Sequence, residues 1–456
     1  MFKIYKLPFL YLCLISLGLF LSTLSYQSVE PILITVIIGN IFLVFLILFV
    51  KNRQELIFSF LSFSIFIFLS GLASIFNNIF KSINNDEAFF FLSSIGNRQY
   101  LDSVITNYDG YGAVAVWTFF YNLFYELGFS KIPHIGITIN IVIMTFSGML
   151  IYKTAEKIYK NDYQRINRLF FLYPLNGLIL IFAITHLRDA FSFFLISLLT
   201  FSWINFITDK KLNDLFFLII FNIFSFYSFA YIRPEFLLIP FALILSFLAS
   251  IFFVNKDKNL FYFRGIKSIA IIFLLSSLTI LWKLDFFYII NQAYEGYRLL
   301  NESSNSSSSL GTILIVDAIL PIRLILGSFY LFIFPIPFWA ELDYQSLYHL
   351  LKFFNLFYFY FFIPLIILSF YYFIKLNSFK TLTNYFLLFS IIGFTVSVAL
   401  TSLETRHLGQ FLPFFILFSL IPPLKNKIEF FNYSKIFLIF ISLILLIHIL
   451  WIFLKI

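Results

Sequence analysis

Read from its N-terminus, the chain alternates long apolar runs with short polar breaks. The runs occupy about residues 8–25, 31–50, 56–76, 132–152, 169–185, 190–208, 212–230, 236–254, 266–284, 353–374, 382–402, 408–424 and 436–452. Each approaches the roughly 20 apolar residues that one helix needs to cross a bilayer, so the pattern predicts an all-α polytopic membrane protein with about 13 transmembrane helices. A further apolar segment, about 311–338, carries Pro321, Arg323, Pro335 and Pro337. Proline removes a backbone donor that lipid cannot replace, so this segment is expected to be re-entrant or interfacial.

Basic residues orient such a chain, because they accumulate on the cytoplasmic side. With the N-terminus inside, that face receives Lys3, Lys6, Lys51, Arg53, Lys153, Lys157, Lys160, Arg165, Arg168, Lys210, Lys211, Lys256, Lys258, Arg264, Lys267, Lys375, Lys380, Lys425, Lys427 and Lys435. Twenty of the 31 basic residues then lie inside, against only seven of the 22 acidic ones. Two long loops, about 77–131 and 285–352, face outward. In the first, apolar stretches at 88–95 and 112–128 are too short or interrupted to span and are expected as helices along the membrane surface. The second contains the low-complexity tract 301–309, Asn-Glu-Ser-Ser-Asn-Ser-Ser-Ser-Ser, which has nothing to bury and reads as a mobile loop. The whole chain, 1–456, is expected to be one transmembrane domain without a separate soluble domain.

Composition narrows the classes. Apolar residues make up 61% of the 456, aromatic residues 22% with 70 Phe, and charged residues only 12%, which excludes a water-soluble globular protein. The net charge of +9 is spread over loop clusters, so no nucleic-acid partner is expected. The single cysteine, Cys13, supports neither a disulfide framework nor a thiolate metal site. No small-residue cleavage motif follows residues 8–25, which read as a retained helix. Neither GxGxxG nor a P-loop is present, arguing against direct use of nucleotide sugars or ATP.

Polar residues that membrane helices normally avoid collect at four outer boundaries. These are Asp86-Glu87, His186-Leu187-Arg188-Asp189, Tyr231-Ile232-Arg233-Pro234-Glu235 and Glu404-Thr405-Arg406-His407. Any one cluster reads first as a helix-ending ion pair, such as Arg188 with Asp189 or Arg233 with Glu235. Four on one face point to a shared extracytoplasmic site. Arginine forks bind phosphate bidentately, and a carboxylate beside them can take a proton from an acceptor hydroxyl. That combination suits glycosyl transfer from a polyprenyl-linked donor whose tail stays in the bilayer, with fixed positive charge stabilising the phosphate leaving group.

Asp86-Glu87-Ala88-Phe89 after an early helix, then a surface-lying segment, then a helix with Asn140 near its start, resembles the first outer loop of the GT-C glycosyltransferase superfamily, to which protein mannosyltransferases and aminoarabinose transferases belong. Tyr173-Pro174 with His186-Leu187-Arg188-Asp189, Arg233-Pro234-Glu235, Pro335-Ile336-Pro337-Phe338-Trp339, and Arg406-His407 with Pro413 are similar to membrane proteins of bacterial capsule and O-antigen loci, taken to be Wzy-type repeat-unit polymerases. The His-Pro-Pro signature common in GT-C first loops is absent around Asp109, which favours the polymerase over the single-sugar transferase.

The resemblance implies a catalytic carboxylate at the acidic pair, with Asp86 as general base and Glu87 orienting the donor or holding a metal. Arg188, Arg233 and Arg406, with His186 and His407, are the expected phosphate or diphosphate contacts. Asp189, Glu235 and Glu404 are expected to orient their neighbours, and Arg298 and Arg323 are held in reserve. His134, His349 and His448 are left as structural. No cofactor is required, although a divalent metal can be held at Asp86 and Glu87. The expected partners are a polyprenyl-linked oligosaccharide or sugar, membrane lipids and polysaccharide-assembly proteins, at the extracytoplasmic face of a bacterial cytoplasmic (inner) membrane. Two alternatives stay open: a transferase using a polyprenyl-phosphate monosaccharide, and a lipid-linked oligosaccharide flippase or transporter.

Overall fold

The computed structural model describes residues 7–50, 52–76, 86–107, 110–160, 162–254, 315, 318–333, 347–402, 404–424 and 427–455. Every regular element among them is helical, and several helices are long and apolar enough to cross a membrane repeatedly. The chain divides into two compact units, Met1–Leu238 with Asp343–Lys352, and Ile239–Leu342 with Phe353–Ile456.

The first unit runs α1 (Leu7–Tyr26), α2 (Glu30–Phe49), α3 (Arg53–Phe76), α4 (Asp86–Ser94), α5 (Arg98–Asn107), α6 (Tyr111–Glu126), α7 (His134–Tyr159), α8 (Tyr163–Ile166), α9 (Leu169–Leu172), α10 (Gly177–Ile184), α11 (Asp189–Asp209) and α12 (Leu212–Ile232). Helix α7 is its axis, packed against α3, α10 and α11. Its apolar residues face protein on nearly all sides, as a helix hydrophobic all round must. Helix α12 instead exposes Phe216, Phe217, Ile220, Phe224 and Tyr227, a surface that lipid rather than water would cover. Helices α1 and α3 cross backbone to backbone at Gly18 and Gly71, where a Cβ on either residue would overlap the partner helix's main chain. Small residues at a crossing let two membrane helices approach closely.

The two ends of α11 are both tied by charge. Asp189, its first residue, pairs with Arg233, and Asp209, its last, pairs with Lys157 near the end of α7. At 1.5 Å per residue these ends lie about 30 Å apart, the thickness of a bilayer's hydrocarbon core. The Lys157 end also gathers Lys153 with Glu55 at 3.4 Å and Asn52 with Glu156 at 2.5 Å. The polar clusters of this unit therefore sit at opposite ends of the same helices.

The second unit contains α13 (Ile239–Phe253), α14 (Leu320–Ile333), most of α15 (Leu347–Lys375), α16 (Leu382–Leu400), α17 (Thr405–Gly409), α18 (Leu412–Ser419) and α19 (Lys427–Lys455). Helix α16 is central, packing on α13, α14 and α18.

Nine helices among the described residues have spanning length and composition, or ten if one bent pair counts as a single span. Among the expected 13 runs, two that the structure describes are interrupted. Residues 31–50 form α2, a helix of 20 residues with no charge after Glu30, in agreement with the expected run. The run 169–185 is bent by 60° between Tyr163–Leu172 and Gly177–Ile184. The break contains Pro174 and is re-initiated by Asn176, whose Oδ1 accepts the Leu178 and Ile179 amides, an N-cap that satisfies orphan donors of a new helix. The run 408–424 is also broken, because Thr405–Gly409 and the eight residues of α18 are separate helices, each too short to cross. The run 266–284 lies outside the described residues, as do Asp109, Arg298, the tract 301–309 and Pro335 to Trp339.

The surface stretches expected at 88–95 and 112–128 are α4 and α6, with α5 between them. Within 311–338 the described helix α14 has 14 residues, shorter than a span, and Pro321 lies in its first turn, where a missing amide costs nothing.

Candidate functional site

Three of the four polar boundaries converge in the first unit. The third begins where α12 ends. Arg233 follows its last helical residue, with its amide bonded to the Phe229 carbonyl at 2.8 Å. Asp189 opens α11, which packs antiparallel against α12. A cation at a helix C-terminus and an anion at a helix N-terminus each complement the backbone dipole. Asp189 Oδ1 and Arg233 Nη1 meet at 2.5 Å, both fully buried. The pair thus ties two neighbouring helices at one end.

Arg233 Nε also donates to Glu235 Oε1 at 2.7 Å, and its guanidinium lies 4.8 Å from the Phe236 ring. The same Glu235 oxygen is 3.8 Å from Arg188 Nη2. Arg188 donates to the Ile232 carbonyl at 3.2 Å and lies over the Phe90 ring at 5.6 Å. Phe90 belongs to α4, one turn beyond Asp86 and Glu87, and residues three and four apart share a helix face. The acidic pair is therefore carried on the helix that packs beneath Arg188. Within the pair, Asp86 is exposed and Glu87 is buried near Tyr26.

The turn that presents Arg188 is fixed from below. Asn140 Nδ2 donates to the carbonyls of Thr185 at 2.8 Å and Leu187 at 3.1 Å, while its Oδ1 accepts from Trp117 Nε1 at 3.2 Å. All of these groups are buried, so each satisfied polar atom replaces a desolvation penalty.

His186 lies inside this scaffold, not at its surface. Its ring is fully buried, 4.1 Å from the Trp117 ring, with Nε2 3.0 Å from Tyr121 Oη. Burial pushes the imidazole down to about 3, so it is neutral, and burial likewise raises the Tyr121 phenol well above its ordinary value. Gly136 leaves room for it, because a Cβ there would overlap the imidazole. The expected phosphate contact at His186 is thus a ring that braces the turn next to Arg188.

The fourth boundary belongs to the second unit. Glu404 approaches Arg406 Nε through Oε1 and His407 Nε2 through Oε2, each at 3.8 Å, and His407 Nδ1 lies 2.7 Å from Ser402 Oγ. Arg323, in α14, donates to the Leu400 carbonyl at 2.7 Å, capping the C-terminal end of α16. His134 lies 2.9 Å from Thr35 Oγ1, and His448 meets the Ile444 carbonyl at 2.8 Å, which fits structural histidines.

The order of residues did not reveal the Asp189–Arg233 pair, separated by 44 positions, nor the Trp117–Asn140 clamp. The one signal for the clamp was an asparagine inside an otherwise apolar run. Among the described residues no group of three or more His, Cys, Asp or Glu side chains is gathered as a metal site. Comparison with protein-family models, with curated proteins and with solved structures gives no match, so function is argued from the chemistry of this cluster.

Proposed function

We propose that the chain is an integral-membrane glycosyltransferase that takes a polyprenyl-(di)phosphate-linked sugar at the extracytoplasmic face of a bacterial cytoplasmic membrane, acting as a Wzy-type polymerase of polysaccharide repeat units. One observation carries the reading: two arginines gather with Asp189 and Glu235 at one end of α11 and α12, and Arg188 lies against Phe90 of α4, the helix that begins with the exposed Asp86. Charge retained at a membrane boundary in this density is a functional-site signature.

In this reading Arg188 and Arg233 hold the donor phosphate, and the buried Asp189 keeps Arg233 in place. Asp86 takes the proton of the acceptor hydroxyl as that oxygen forms a bond to the donor's anomeric carbon. The bond from that carbon to the phosphate oxygen breaks, and its electron pair leaves on the phosphate, where the two guanidinium groups stabilise it. Arg406 and His407 are assigned to the same ligand class. The arginine charges make a cofactor unnecessary, and polysaccharide-assembly proteins are the natural partners.

Transfer of a single sugar from a polyprenyl phosphate would use the same groups and differ in the donor. A flippase is less favoured, because the charge clusters of the first unit lie at helix ends and not along a path through the membrane.

The test is a deletion strain of the source bacterium complemented with wild type, Asp86→Asn or Arg188→Ala, with membrane abundance checked for each. The reading expects only single-repeat lipid-linked glycan from the deletion and from both variants, with chain extension reduced ~10²-fold or more. Long chains in the variants would remove these residues from the site. Repeat units held on the cytoplasmic leaflet in the deletion would make the protein a flippase.

A further inference from the structure

The arginine pair is already bridged by a carboxylate. Glu235 Oε1 accepts from Arg233 Nε at 2.7 Å and faces Arg188 Nη2 at 3.8 Å, so one oxygen lies between two guanidinium groups, as a phosphate oxygen would. The two carboxylates on Arg233 differ in setting. The Asp189 side chain is 2% exposed and that of Glu235 is 45% exposed.

Removing Asp189 would leave a buried guanidinium without its counter-charge, which is strongly unfavourable. Removing Glu235 would not, because Arg233 keeps Asp189 and the Glu235 carboxylate can turn into solvent. Glu235 stands in the first turn of the apolar segment Pro234–Phe253, just beyond α12, where its half-exposed side chain can turn without moving the backbone.

We propose that Glu235 is a displaceable internal anion, occupying the arginine pair at rest and yielding it to a diphosphate ester. This rests on the reading of the cluster as a phosphate site and adds how that site discriminates. A monoanion with one bridging oxygen is displaced by a group with more charge and several oxygens able to engage both forks. Weaker anions do not displace it, so the carboxylate acts as a threshold for the ligand.

The experiment measures binding of inorganic pyrophosphate and of farnesyl diphosphate to the full chain in phosphatidylcholine nanodiscs, for wild type, Glu235→Gln, Glu235→Ala and Arg188→Ala, with thermal unfolding recorded for each. Both Glu235 variants are expected to bind about tenfold more tightly than wild type, and Arg188→Ala more weakly. Gain of affinity separates displacement from a structural role, since a damaged site only binds less. Tightening for farnesyl diphosphate alone assigns the ligand to a lipid, and tightening for both probes assigns it to the diphosphate group; either outcome supports displacement. Unchanged or weaker binding by both Glu235 variants, with wild type still binding, overturns displacement and leaves the glycosyl-transfer reading standing. Binding of neither probe by any form overturns both.

Discussion

Arg188 and Arg233 are alike in sequence context, each beside a carboxylate at a helix boundary, yet the structure gives them different work. The Arg233 side chain is 1% exposed and holds Asp189 and Glu235, whereas that of Arg188 is 14% exposed and reaches the cluster's outer side. Breaking a buried pair leaves an unpaired charge and costs roughly 3–5 kcal/mol, whereas a more accessible ion pair contributes about 0–1 kcal/mol. Arg233→Ala is therefore expected to lower the unfolding temperature in detergent sharply, and Arg188→Ala to leave it nearly unchanged. Equal losses for the two variants would mean that burial does not set the difference in stability between the two arginines.

Among the helices, hydropathy predicts where a run is apolar but not whether it continues through. Residues 169–185 and 408–424 look like spans, and both are interrupted, the first where Asn176 caps a new helix and the second between Gly409 and Leu412. A hydropathy sum adds residues without regard to where their backbone bonds go. The capping side chain or proline decides that locally. The α1–α3 crossing shows the converse, since Gly18 and Gly71 stand in apolar runs as unremarked small residues until their backbones meet. Gly71→Ala is expected to destabilise by roughly 1–3 kcal/mol through forced separation of the two helices, read as a lower unfolding temperature. A shift of the opposite sign would show that the crossing is not tightly packed in the membrane.

At the scale of the molecule, the first unit carries lysines at one end of α7 and α11 and the arginine cluster at the other, about 30 Å away by helix rise. Basic residues mark the cytoplasmic side, so the two ends are expected on opposite faces of the membrane. A Cys13→Ser background removes the only native thiol. Single cysteines placed at the exposed positions Asn97 and Glu126 should then react with an impermeant maleimide added outside cells. Cysteines at the exposed Lys160 and Lys211 should react only after permeabilisation. The reverse pattern would move the cluster to the cytoplasmic face and end the extracytoplasmic transfer reading.

Hydrophobic content and the position of a polar residue in an apolar run are local properties, so the helical, membrane-like character of the chain and its short charged segments are legible in the order of residues alone. The stretches 88–95 and 112–128 are likewise legible as apolar segments too short or interrupted to span, and they are the helices α4 and α6. That Asp189 pairs with Arg233 across 44 residues, that Asn140 and Trp117 hold the turn beneath Arg188, and that His186 is a buried brace emerges from the packing of the helices. Hydrogen bonds and ion pairs join groups distant along the chain, and burial depends on what packs from the other side. Neither quantity exists until the helices are assembled.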